Sequence, residues 1–303
     1  MKNVKLHRLY LEYRTWPKWY YHLTFNSLET GQLFNDDKEY ANGMNSIALG
    51  QHIWGLTIIA FTLMVNHCHI LVCGSGEDLV SFFSFMKCRI NDRLRKDGYP
   101  SLPEGYGFHL GKVADERQMA DTIIYIARNP LKACPDVAAG GYPWGSTHLI
   151  FNKIGNLTDN KKLGLLSGRQ QSRLLESKHH LPDDYTFNEK LGYVLPESFV
   201  FTKKAEQVLK TSWRFTSGLI KNVDSNLKIS EGIGEMIVWS EEEVNEIIYQ
   251  KAKELFNAGS VKDLGADDRC RIAVILKRKY RVDTKRIARK LKLDIALLNE
   301  LFD

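Results

Sequence analysis

Two short segments carry side chains whose types and spacing suit chemistry. In "MVNHCHILV", His67 and His69 stand two residues apart. In an extended strand successive side chains alternate between faces, so both imidazoles project from the same side. Such a pair, about 6–7 Å apart at the backbone, can share one cation through a nitrogen from each ring. In "TIIYIARNPLKA", Tyr125 and Asn129 are four apart, which stacks one above the other on a helix face. The asparagine amide oxygen is a hard donor suited to Mg²⁺ or Mn²⁺. A tyrosine hydroxyl attacks phosphorus when its proton is removed or when a cation neutralises the charge developing on the phosphate. Each segment also has a plainer reading: half-buried histidines on a sheet face, and a core tyrosine followed by an asparagine that closes a helix.

The elements that must position these groups show in the pattern around them. "WYYHLTF", Trp19 to Phe25, is aromatic and β-branched in the manner of a strand, with "ETG" as the turn after it. A second strand is expected near Trp54 to Leu63, and the histidine-bearing run from Phe61 to Val72 reads as a buried strand closed by "GSGEDL". Leu79, Phe82, Phe83, Met86, Ile90 and Leu94 then recur at helical spacing, with Lys87, Arg89, Arg93 and Arg95 among the remaining positions. The Pro- and Gly-rich "GYPSLPEGYGFHLGKV" reads as a loop; its His109 is an additional candidate for phosphate or metal contact. After it, "ADERQMADTIIYIARNP" reads as a helix with an acidic first turn that Pro130 should stop. From about Lys153 to Asn257 the texture is short, polar, helix and loop, and suggests no chemistry.

At 303 residues and 44% hydrophobic content the chain can bury one large core or two ordinary ones. A net charge of +6 suits a polyanionic partner without requiring one. The five cysteines form no CxxC pair, which argues against a disulfide framework or a cysteine zinc site and for a reducing setting. Neither a signal-peptide core nor an 18-residue apolar run is present in the sequence, so the expected location is cytoplasmic, with no membrane partner.

With "YPWGS" downstream of the tyrosine helix, the segments "MVNHCHILV" and "YIARNPLKA" make three motifs in order. Over about Trp19 to Asn152 they resemble the REP-associated tyrosine transposases of the single-tyrosine HUH transposase superfamily. Val65 stands where proline commonly precedes the asparagine. The resemblance implies an α+β fold, an antiparallel sheet with packed helices of the HUH endonuclease, ferredoxin/RRM-like kind. It implies Mg²⁺ or Mn²⁺ held by His67, His69 and Asn129, and Tyr125 as nucleophile on single-stranded DNA near hairpin or palindromic repeats. Attack would leave a 5′-phosphotyrosine link and a free 3′-hydroxyl. Both monomers and homodimers are compatible with it. Tyr142, in "GGYPWGS", is the nearest competing nucleophile. Two other readings stand beside this one: a domesticated, non-catalytic regulator of palindromic repeats, and a zinc hydrolase built on His67 and His69.

For DNA handling, cations should follow the backbone and aromatic rings should stack with bases. Lys87, Arg89 and Arg93 meet the first requirement; Trp16, Trp19 and Tyr20 are more simply core residues. The segment Arg269 to Lys292 holds eleven Lys or Arg against one Asp, a formal charge of +10 that exceeds that of the whole chain. Within it "DTKRIARKLKLD" should form a helix capped by Asp283 or Thr284. Ile287, Ala288 and Leu291 would be its buried side, leaving Lys285, Arg286, Arg289, Lys290 and Lys292 for phosphates or base edges. This tail is helix-turn-helix-like and resembles the replication-initiator-type DNA-binding domain. The expected organisation is therefore a catalytic domain over 1–152, a helical and irregular region over 153–259, and a basic helical domain over 260–303.

Overall fold

Four extended runs pair antiparallel into one sheet: β1 (Trp19–Phe25), β2 (Thr57–Met64), β3 (His67–Gly74) and β4 (Phe108–Lys112). Their order is β2-β3-β1-β4. With α2 (Asp37–Ile53) between β1 and β2, and α3 (Gly76–Lys96) between β3 and β4, this is the split βαβ arrangement. The expected α+β class, an antiparallel sheet with packed helices, is observed. The computed structural model describes residues 2–25, 32–103, 105–133, 142–152, 160–221, 239 and 241–302; the turn read at "ETG" lies outside them. Among the described residues no helix is long and apolar enough to cross a membrane.

Strand alternation divides the sheet into two unlike faces. Tyr21, Leu23, Phe25, Phe61, Leu63, Ile70, Val72, Phe108 and Leu110 share one core with Met44 and Ile47 of α2 and with Leu79, Phe82, Phe83 and Met86 of α3. The helices start where the sequence provides caps. Asp36 accepts from the Glu39 amide at 2.9 Å, and Ser75 from the Asp78 amide at 3.2 Å. The opposite face packs under α4 (Glu116–Ala133), whose Met119, Ala120, Ile123, Ile124 and Ala127 meet Ala60 and Leu71.

Three local expectations are corrected. The run Phe61 to Val72 is not one strand: it is the two arms of the β2–β3 hairpin, with Val65 and Asn66 in the turn between them. The segment carrying His109 is not a loop but strand β4, paired with β1. Finally, α4 does not stop before Pro130 and runs on to Ala133. Proline loses only the bond to the Ile126 carbonyl, and its fixed φ of about −65° is itself helical, so a helix anchored by a buried stripe continues for another turn.

The described chain divides into two compact units, one running to Lys221 and the other beginning at Trp239. The sequence boundaries at 152 and 259 coincide with neither edge. Residues beyond 160 include a small sheet, β5 (Asn160–Lys162), β6 (Thr186–Asn188) and β7 (Tyr193–Val194). Leu163, Leu181, Phe187, Val194 and Phe199 complete the core shared with α2 and α3. Asn45 fastens this region: its Oδ1 accepts from the Val194 amide at 2.8 Å and its Nδ2 donates to Gly192 O at 3.0 Å. Helix α5 (Gly168–Leu175) lies in the same region. On the other face α6 (Thr202–Leu209) and α7 (Ser212–Lys221) pack with α4.

The second unit comprises α8 (Glu241–Phe256), α9 (Ala266–Arg278), α10 (Thr284–Leu291) and α11 (Ile295–Phe302). Its core joins Trp239, Val244, Ile247 and Ile248 to Ile272, Leu276, Ile287, Leu291 and Leu298. A boundary at residue 260 would cut this core in two. The three short helices expected in the tail are present, and Asp283 caps α10 by accepting from the Lys285 amide at 3.0 Å and the Arg286 amide at 3.2 Å.

One glycine sets a stability prediction. Gly76 opens α3 with its amide bonded to Trp16 O at 3.0 Å, and a Cβ there would fall inside the van der Waals shell of the Tyr13 carbonyl oxygen. The obstacle is backbone, so no side-chain rotation relieves it. Gly76→Ala is expected to destabilise the protein by about 3 kcal/mol, at the upper end of overpacking costs. A guanidinium unfolding midpoint unchanged from the parent protein would refute the close packing of the α1 (Lys2–Arg14) end against α3.

Candidate active site

The face of the sheet beneath α4 is mainly apolar toward one end and polar toward the other, and strand register makes the polar end. Thr62 of β2 is opposite His69 of β3, His69 is opposite Thr24 of β1, and Thr24 is opposite His109 of β4. Cross-strand partners point the same way, so these four form one row across all four strands. His67 lies two residues before His69 on the same face, opposite Met64. His22 lies two residues before Thr24 and opposite Leu71.

Helix α4 brings Tyr125 to this row. The Tyr125 ring centre is 5.3 Å from that of His69 and 5.9 Å from that of His22. His69 is in turn 4.9 Å from His67 and 5.3 Å from His22. The structure thus joins the two segments that spacing alone had singled out. His22 was not anticipated. It sits in "WYYHLTF", read only as an aromatic strand, and the available signal was the one that marked His67 and His69, a histidine inside an apolar run.

Burial and charge set the state of these groups. His22 is 3% exposed, with neither ring nitrogen hydrogen-bonded. Burial, then the neighbouring His69 and His109, holds its pKa well below the ordinary imidazole range, so it is neutral. Burial lowers the pKa of His109 as well. The Nδ1 of His67 lies 2.7 Å from Asn66 Oδ1. An amide oxygen can only accept, so in this contact His67 donates from Nδ1. That is the arrangement in which an outer hydrogen bond orients a metal-binding imidazole. Asn129 donates its Nδ2 to the Tyr125 carbonyl at 3.0 Å, one turn back on the same helix. Among the described residues no group of three or more His, Cys, Asp and Glu is placed to hold a metal ion. His67 and His69 lie together, with ring centres 4.9 Å apart, and imidazole nitrogens are common metal ligands, whereas Asn129 is placed by its bond back to the Tyr125 carbonyl.

Tyr142, the competing tyrosine, is occupied elsewhere. Its hydroxyl donates to Leu63 O at 2.6 Å, as "YPWGS" runs along the open edge of β2. There Leu63 donates its amide to Trp144 O at 2.8 Å, and the Phe61 amide donates to Ser146 Oγ at 2.9 Å. The Gly145 position is within 2.8 Å of Phe61 O for any Cβ, so the motif is glycine because two backbones meet. Its visible work is to cover a sheet edge.

The basic residues expected to follow DNA are engaged within the protein. Lys87 donates to Tyr106 O at 2.8 Å. Arg89 donates to Leu175 O at 2.8 Å and Glu176 O at 3.0 Å, tying α3 to the end of α5. Arg93 is paired with Asp97 at 2.7 Å and Glu176 at 3.3 Å. They are not a free stripe of cations: Lys87 is held by the segment before β4, and Arg89 and Arg93 by residues beyond 160, neither of which the periodicity of α3 reveals.

In the second unit Ile287 and Leu291 of α10 are buried, as expected, and Lys285 and Arg289 are exposed. Glu241 gathers the basic side of this helix, with carboxylate contacts to Arg286 at 2.9 Å, Arg289 at 2.8 Å and Lys290 at 2.6 Å. Its pKa is lowered, chiefly by the Lys290 hydrogen bond. Glu241→Gln removes this internal counter-charge. It is expected to raise non-specific DNA affinity several-fold at low salt and to steepen the salt dependence of binding by about one unit of slope. An unchanged salt slope in a binding titration would show that the basic side of α10 does not meet phosphate.

No family model matches the chain, and no curated protein matches it. Among solved structures, a REP-associated tyrosine transposase bound to a REP hairpin aligns at a TM-score of 0.37 with 18% identity, over 48% of this chain and 92% of that one.

Proposed function

We propose that the first unit cleaves and rejoins single-stranded DNA near hairpin or palindromic repeats through a 5′-phosphotyrosine at Tyr125. The carrying observation is the Tyr125 ring set against His69 on the face that bears His67. A helix that supplies Asn129 one turn after Tyr125 holds both near any phosphate bound at the histidines. His67, His69 and Asn129 would hold Mg²⁺ or Mn²⁺, which when bound supplies positive charge to the scissile phosphate. The Tyr125 oxygen forms a bond to phosphorus and the bond from phosphorus to the 3′-oxygen breaks. The phenolic proton passes to solvent water and the leaving oxygen takes a proton from it, ending as a free 3′-hydroxyl. A second 3′-hydroxyl attacking the phosphotyrosine reverses these changes, rejoining DNA without ATP. Neutral His22 packs beside both Tyr125 and His69 and keeps them in place. In the second unit, Lys285, Arg286, Arg289 and Lys290 would bind DNA.

The test is incubation with single-stranded hairpin DNA from the sequence flanking the gene, with and without Mg²⁺ or Mn²⁺, followed by mass spectrometry of a protease digest. A metal-dependent nucleotide adduct on the peptide containing Tyr125 is expected. Cleavage without an adduct would overturn the reading in favour of a water nucleophile, and binding without cleavage would favour a DNA-binding regulator.

A further inference from the structure

On the sheet side opposite the histidines, α3 turns its apolar stripe inward and its cations toward α2 and the end of α5. A cleft of 420 Å³ lies there, lined by Asn42, Arg89, Asp92, Arg93, Arg95, Lys96 and Glu176. Its volume is within the range of about 300–1,000 Å³ for small-ligand sites. We infer that this cleft is a phosphate-binding site, separate from the histidine–tyrosine face, in which the Glu176 carboxylate occupies the position of the ligand. The phosphate group would come from a nucleic-acid backbone or from free phosphate. The inference is independent of strand cleavage.

Charge and hydrogen bonding carry it. Four cations line the cleft against two carboxylates, Asp92 and Glu176. Arg95 is paired with Asp92, and Arg93 also with Asp97. Arg89 gives its hydrogen bonds to neutral oxygens: Ser46 Oγ, Leu175 O and Glu176 O. Its guanidinium is therefore fixed in position without a carboxylate hydrogen-bonded to it. Glu176 bridges two of the cations, with Oε2 at 2.6 Å from Lys96 and Oε1 at 3.3 Å from Arg93. Burial tends to raise the Glu176 pKa, but Lys96, Arg93 and Arg89 together bring it below the usual carboxylate range. Glu176 ends α5 in the left-handed region, φ 45°, which is uncommon for a residue with a side chain.

The arrangement is one that exchanges easily. The Lys96–Glu176 pair is more than a third exposed on both sides, 59% and 36%, so it contributes little to stability. A phosphodiester matches a carboxylate in charge and in its two anionic oxygens, and inorganic phosphate exceeds it in both, so either satisfies Lys96 and Arg93 together once Glu176 swings out.

The test uses the full chain without divalent metal, titrated with unphosphorylated oligothymidine and, separately, with inorganic phosphate. Glu176→Gln should tighten binding several-fold, because the internal competitor loses its charge. Lys96→Gln should weaken binding and lower the salt slope for oligothymidine by about one. A response with oligothymidine alone identifies a backbone phosphodiester as the source, and a response with both identifies any accessible phosphate. If Glu176→Gln binds no tighter than the parent, or if Lys96→Gln leaves both titrations unchanged, the cluster is a structural tie between α3 and α5 and the inference fails. These readouts do not depend on adduct formation, so they stand or fall apart from the reaction proposed at Tyr125.

Discussion

Tyr125→Phe should form no covalent DNA adduct, a loss of at least roughly 10³-fold, the scale on which removal of a nucleophile acts. The substitution removes one oxygen from a side chain that is 4% exposed, and the ring remains to pack against His69 and His22. DNA binding should therefore stay close to that of the parent protein. Tyr142→Phe is the matched control. It forfeits the hydrogen bond to Leu63 O, worth about 1 kcal/mol, and should keep adduct formation. Gel separation of adduct from free protein reads both variants on one substrate. An adduct surviving in Tyr125→Phe and lost in Tyr142→Phe would transfer the nucleophile to the edge of β2.

His67→Ala should lower metal-dependent cleavage by at least roughly 10²-fold, more than loss of an outer-shell partner costs. It is a cleaner probe than His69→Ala. His67 is only partly buried at the start of β3, whereas His69 is fully buried, so its truncation leaves a cavity costing about 2–4 kcal/mol. Asn66→Ala should leave the hairpin intact and weaken Mn²⁺ affinity by roughly 10-fold or more, because it frees the His67 ring to turn and to change tautomer. A Mn²⁺ titration followed by paramagnetic resonance measures this without reference to cleavage. Equal Mn²⁺ affinity in the parent, His67→Ala and Asn66→Ala proteins would remove the HxH strand from the metal proposal.

The sequence by itself determined what depends on local periodicity. Strand alternation put His67 and His69 on one face, and the four-residue interval put Asn129 one turn beyond Tyr125. The apolar stripe of α3, the three short helices of the tail and a helix cap at Asp283 or Thr284 were likewise legible, because each is written within a few turns or one strand. Tertiary structure decided whatever depends on partners far along the chain. The sheet register set Thr62, His69, Thr24 and His109 in one row, although they come from four separate segments. The same pairing turned a supposed loop into β4 and brought His22 to Tyr125. Residues beyond 160 claimed Arg89 and Arg93 for an internal cluster, and the core formed by Trp239 with the tail moved the unit edge well before residue 260. The physical reason is common to all of these. Local backbone geometry sets which way a side chain points, but its neighbours follow from which apolar faces bury one another, and that choice is made between segments.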